Sequence, residues 1–172
     1  GPYSTGTGLM SDALRAASLI PSTEPYTALG FTQVSGGGET VAPAVLAVTG
    51  NNAIVDWVLV ELRSAANNTV ITRTRCGLLQ RDGDVVDVDG TSPLAFSGLA
   101  AGNYFVALRH RNHQGVMTFA AVGLSNAPGT IDFSINTTST FGTAATKTVG
   151  TVQAMWAGNA LRDASLKYTG SA

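Results

Sequence analysis

The sequence predicts an all-β fold, an antiparallel β-sandwich with one short N-terminal helix. Three observations carry this prediction. Tyr104, Val106 and Leu108 alternate with Phe105, Ala107 and Arg109, the period of two that a strand imposes on its faces. Residues 54–63 are apolar on both faces (Ile54, Val55, Trp57, Val58, Leu59, Val60, Leu62), which marks a central strand. Short apolar segments recur between turn signals such as Asn67-Asn68, Asp82-Gly83 and Asn126-Ala127-Pro128-Gly129, the pattern of a sandwich. The sandwich is expected to occupy residues 1–152, with residues 153–172 as a C-terminal extension.

Each element has a local reason. In residues 9–20, Leu9, Met10, Ala13, Leu14 and Ala17 recur near the helical period. Ser11 and Asp12 suit a cap and Pro21 ends the segment, so one or two helical turns are expected. Residues 24–30 read as a loop and 31–34 as a short strand. Gly36-Gly37-Gly38 reads as a flexible turn rather than a phosphate cradle, since no Lys-Ser or Lys-Thr follows it. Residues 44–48 form the next expected strand. Asn67-Asn68 turns residues 54–63 into a hairpin partner at 69–76. Residues 85–88 form a short strand after the Arg81-Asp82-Gly83-Asp84 turn. Residues 92–110 read as a strand, a tight turn carrying Gly102, and a second strand. Strands are also expected at 116–122 and 130–135. Beyond Asn136 the pattern weakens into Thr-, Ala- and Gly-rich chain, with Met155-Trp156-Ala157 as a last apolar anchor. Val58, Val60, Leu62, Tyr104, Val106 and Leu108 are predicted core residues, with Trp57 beside them.

The 172 residues are 44% hydrophobic and 12% charged, against about 25% charged in ordinary soluble domains. A surface built from Thr, Ser, Asn and Gly suits an extracellular β-protein. The net charge of -1 gives no basic footprint for nucleic acid. No apolar run reaches the ~18 residues that read as a membrane-spanning helix. Cys76 is the single cysteine, so no disulfide forms within the chain; a semi-buried strand thiol is expected, with pairing between chains of a secreted protein as the alternative. Gly1-Pro2-Tyr3 opens with neither a basic residue nor an apolar run, and the chain is expected to derive from a longer precursor.

The stretch from Ser92 to His110, with Gly102-Asn103-Tyr104-Phe105-Val106 at its centre, resembles the late hairpin of transthyretin-like β-sandwich modules, a fold close to immunoglobulin-like sandwiches. Further phrases resemble a recurring accessory module of large secreted and cell-surface proteins of Bacteroidota. They are Gly8-Leu9-Met10-Ser11-Asp12-Ala13-Leu14-Arg15, Glu24-Pro25-Tyr26, Ala53-Ile54-Val55-Asp56-Trp57-Val58, the segment Leu78 to Gly90, and Arg109-His110-Arg111-Asn112-His113. The resemblance implies a non-catalytic module placed beside adhesive or polysaccharide-acting domains. It also implies a dockerin-like calcium loop at Gly158 to Gly170. Asn159, Asp163 and Ser165 stand there at alternate positions, but Leu161 and Arg162 replace a ligand and the turn glycine, so the loop is degenerate.

Asp82, Asp84, Asp87 and Asp89 form the densest carboxylate group and are the candidate calcium ligands; turn chemistry explains them equally well. His110 and His113 lack a third ligand nearby and the i, i+4 spacing of a helical zinc site. Asp56 and Glu61 fall on opposite faces of one strand, unlike an acid–base pair. No Gly-x-Ser-x-Gly elbow occurs. No catalytic residue is therefore assigned and no cofactor is required. The candidate ligand-binding residues are Tyr26, expected at the surface in a loop, with Arg109, Arg111, Asn112, His113 and Gln114 around the turn after the second strand. The expected function is an extracellular binding or adhesion module for a surface polymer or glycan. The alternative is a structural subunit or spacer that assembles with copies of itself into a fibre, sheath or surface layer.

Overall fold

A computed structural model describes residues 2–158. The fold is all-β, and antiparallel pairing runs throughout. Its centre is a six-stranded sheet in the order β5(Val85–Val86), β4(Asn67–Gln80), β3(Ile54–Ser64), β6(Gly102–His110), β7(His113–Met117), with β8(Val122–Leu124) also paired to β6. β7 pairs the His110 end of β6 and β8 the Gly102 end, so the two lie in line along one edge. Two hairpins form two-stranded sheets of their own: β1(Tyr3–Ser4) with β2(Leu9–Met10), and β9(Thr146–Val149) with β10(Val152–Met155). The second hairpin crosses residue 152.

β3 is central because it is apolar on both sides. Trp57, Leu59 and Glu61 lie opposite Leu78, Cys76 and Thr74 of β4, while Leu59 and Glu61 lie opposite Arg109 and Ala107 of β6. One face of the sheet joins Trp57, Leu59, Cys76 and Leu78 to Ile20, Tyr26 and Val41. The other joins Val60, Leu62 and Val106 to Leu94, Phe96, Leu99, Val122 and Ile131. The core expected from the alternation is present: Val58, Val60, Leu62 and Val106 are buried, and Tyr104 and Leu108 pack half-buried against them.

Both faces are covered by irregular chain and short helices. Among the described residues no second sheet exceeds two strands. Several expected elements are corrected accordingly. The helix predicted over 9–20 shortens to α1(Ala13–Ala16), because Leu9–Met10 pairs with Tyr3–Ser4. Residues 44–48 are not a strand but enter α2(Pro43–Leu46), where Pro43 occupies the first turn, a position that needs no N–H. Residues 31–34 and 130–135 are not strands. The first half of the predicted 92–110 hairpin is also absent, since Pro93 makes only an isolated bridge to Val86. Residues 94–99 cross the sheet face, and Leu94, Phe96 and Leu99 are half-buried there by packing rather than by pairing.

The triglycine segment is built tightly rather than loosely. A Cβ on Gly36 would lie 2.2 Å from the Thr74 carbonyl oxygen, so the loop fits against β4 only without a side chain. Gly37 and Gly38 have φ of 95° and 78°, which glycine adopts at no steric cost. Gly36→Ala is expected to destabilise the protein by about 2–3 kcal/mol, the range of overpacking. A thermal melt matching wild type would show that the loop yields without cost.

Candidate functional site

Two buried polar clusters and one surface groove stand out. The first cluster sits where β3 meets the end of β6. Asp56 is 2% exposed, and its carboxylate is fully used. Oδ1 accepts the Trp57 N–H at 2.8 Å and Arg111 Nη1 at 2.5 Å. Oδ2 lies 3.0 Å from His110 Nε2. A carboxylate only accepts, so His110 Nε2 carries the proton. His110 Nδ1 accepts the Asn112 N–H at 3.1 Å and lies 2.9 Å from His113 Nδ1. His110 is therefore neutral, and His113 Nδ1–H donates to it. Burial raises the Asp56 pKa, but the His110 hydrogen bond and the Arg111 charge outweigh it and hold the group below the usual carboxylate value. Burial, then the neighbouring His110, depress His113 to about 4, against the opposing pull of Asp56.

The second cluster lies at the triglycine loop. Glu24 is 3% exposed. Its Oε2 accepts the N–H groups of Tyr26 at 2.6 Å and Thr27 at 3.1 Å, and its Oε1 accepts the Gly38 N–H at 2.9 Å. The Thr27 hydroxyl and the Cys76 thiol also donate to it. Glu39 accepts the N–H groups of Gly37 and Cys76. Burial, then the nearby Glu39 and Glu24 carboxylates, push the Cys76 thiol up, so this is no reactive thiolate. Glu24, Glu39 and Cys76 place one ligand atom each within 4.8 Å of one another. Protein donors already occupy the carboxylate oxygens, so the geometry suits a backbone clamp better than a metal ion.

The groove is open and has a volume of about 670 Å³. It runs between Thr118–Val122 and Thr130–Ser139, with Phe119, Val122, Ile131 and Ile135 as its apolar walls. Phe119 is 64% exposed, and Phe141 and Ile135 are also exposed. Asp132 Oδ1 accepts the Ser134 N–H and hydroxyl, which leaves Oδ2 free to accept from a ligand.

The predicted site residues fall largely outside the groove. Tyr26, expected at the surface, is corrected: it is fully buried, its hydroxyl donates to the Trp57 carbonyl at 2.8 Å, and its ring meets Phe31 edge-on. Arg111 is tied to Asp56, and Arg109 lies over the Phe31 ring and 3.5 Å from Glu61. Asn112 is exposed, while His113 and Gln114 open β7 rather than standing in a free turn. The four aspartates are not gathered. Asp87 grips Arg75 with both oxygens, and Asp89 closes a turn on Thr91 and Ser92. Asp82 accepts the Asp84 N–H. Among the described residues the single group of three ligand-bearing side chains is Glu24, Glu39 and Cys76. The degenerate loop at Asn159, Asp163 and Ser165 lies outside the described residues.

Sequence reading missed the Glu24 clamp and the Asp56–His110 link. The available signal was a carboxylate inside a doubly apolar strand, which must find partners when buried. Phe119 carried no signal beyond being apolar. No family model matches the chain, and neither a curated protein nor a solved structure does.

Proposed function

We propose that the chain is a non-catalytic extracellular contact module that holds a surface polymer, with glycan as its ligand class, in the groove beside β8. One observation carries this reading. The open groove is lined by aromatic and aliphatic walls, by Thr130 and Ser139, and by Asp132 with one carboxylate oxygen free, while both titratable clusters are saturated by protein partners and line no part of it. Aromatic faces cover the apolar side of a sugar ring, and a carboxylate accepts its hydroxyls. An exposed apolar patch of this kind marks an interaction surface. Membership among the accessory modules of secreted and surface Bacteroidota proteins is proposed on the phrases quoted above. For the fold we propose a loose form of the sandwich, with irregular chain standing where a transthyretin-like or immunoglobulin-like sandwich has its second sheet.

The test is a glycan array followed by titration of the hits. Binding is expected, with a tenfold or greater loss in Phe119→Ala and in Asp132→Asn. Turnover of any bound polymer would overturn the non-catalytic reading. Undiminished binding in both variants would remove the groove from it.

The assembly reading keeps one observation of its own. Among the described residues, no strand covers the outer edge of β4 between Asn68 and Thr72, and Val70 is exposed there. Open edges are where sheets of separate copies join. Filaments in negative-stain micrographs that vanish in Val70→Lys would favour that reading.

A further inference from the structure

We propose that Asp56, His110 and His113 form an acid-sensitive latch that holds residues 156–158 against the outer edge of β7 and releases them on acidification. Three contacts make the hold. The Gln114 N–H donates to the Trp156 carbonyl at 2.8 Å, and the Gly158 N–H donates to the Asn112 carbonyl at 3.1 Å. His113 and Ala157 form an antiparallel bridge. All three depend on the position of the turn at 111–113, and that position is set by His110.

The setting works only with a neutral pair. Asp56 on β3 fixes the His110 Nε2–H at 3.0 Å, which turns the Nδ1 lone pair to the turn. Nδ1 then serves the Asn112 N–H and the His113 Nδ1–H together. A proton on His110 Nδ1 sets N–H against N–H at Asn112. A proton on His113 Nε2 leaves the link intact but places an imidazolium in a seat that lacks a free counter-charge. Among the described residues the charged groups facing the pair are Asp56 and Arg111. Arg111 already balances Asp56, so a further proton leaves net positive charge in a largely buried cluster. A protonated His113 gains more from water than from this seat. When it leaves, the first residue of β7 and its bridge to Ala157 go with it.

The seat's strength as a switch follows from linkage. The seated His113 titrates near 4, against 6.5 for the free side chain. Acidification from neutrality to below pH 4 therefore raises the equilibrium constant for opening by up to about 300-fold. Asp56 keeps its charge to a lower pH than a free carboxylate, because His110 and Arg111 hold its value below the ordinary one.

The experiment is amide hydrogen exchange by NMR on the full chain at pH 7 and pH 4, reported as protection factors. Protection of the Gln114 and Gly158 amides is expected to fall at least tenfold at the lower pH, while the amides of β3 and β4 stay protected. His113→Gln keeps a donor for His110 Nδ1 and removes the His113 proton, so its protection at Gly158 should fall less on acidification than that of the wild type. Equal protection of the wild type at both pH values would overturn the latch. So would an unchanged acid response in His113→Gln. Where that variant does not fold, the wild-type His113 ring resonances decide. Their titration midpoint must coincide with the loss of protection at Gly158, and a separation of the two overturns the proposal.

Discussion

Asp56→Ala is expected to cost about 3–5 kcal/mol, the range for removing one partner of a buried ion pair. The substitution leaves the Arg111 guanidinium, the His110 Nε2–H and the Trp57 N–H without the acceptor they share. The cost comes from stranding these groups in a low-dielectric place rather than from the worth of the pair itself. Urea unfolding measures it, and a loss under about 1 kcal/mol would show that water reaches the site and replaces the carboxylate. The same cluster fixes a pH dependence. The folded Asp56 value lies below the ordinary 3.8, so its contribution is complete above that value and is lost as pH falls through the lower folded one. His113 acts earlier. Its folded value near 4 lies below 6.5, so between these limits the unfolded chain binds the extra proton. Stability therefore declines from about pH 6.5 downward, above the range in which Asp56 acts.

The central sheet was legible because its strands follow simple rules. β3 shows apolar residues on both faces, and β6 alternates cleanly from Tyr104 to Arg109, so both could be placed without a partner in view. The covering layers were not legible, for a physical reason. Leu94 and Phe96 are spaced by two and satisfy the strand pattern, yet Pro93 lacks an N–H and Gly98 has a φ of 70°. The segment buries side chains without offering a ladder. Ala44 to Val48 fails in the opposite direction: a short apolar run reads as a strand, but Pro43 supplies the fixed φ that opens a helix. The site was legible only in part. His110 ends the alternating strand β6, while its bond to Asp56 joins residues 54 apart and no local pattern records that. Tyr26 follows Pro25 in a loop and still becomes core, because its hydroxyl finds the Trp57 carbonyl. A Tyr with a partner for its oxygen buries as readily as a Phe.

Glu24→Ala is expected to cost about 3–4 kcal/mol, which tests whether the triglycine loop is a clamp or a metal site. The wild-type carboxylate gathers the N–H groups of Tyr26, Thr27 and Gly38, the Thr27 hydroxyl and the Cys76 thiol. Each buried donor left without an acceptor costs about 1–3 kcal/mol, and the values do not add fully because the loop relaxes. Burial raises the Glu24 pKa, but the Gly38 N–H, the Thr27 hydroxyl and N–H and the Tyr26 N–H outweigh it, so the folded value lies below 4.5. The advantage of wild type over the variant should then be constant from pH 7 to pH 5 and shrink as pH falls further. Cys76→Ala separates the two accounts. In a clamp the thiol is one weak donor among five, and its loss costs about 1 kcal/mol for the cavity. In a metal site the thiolate is an essential ligand, and its loss, or a chelator, would cost as much as the loss of Glu24. Denaturation of the three proteins with and without chelator therefore gives a clear ranking. Glu24→Ala alone should fall far below the others, and chelator should move none of them.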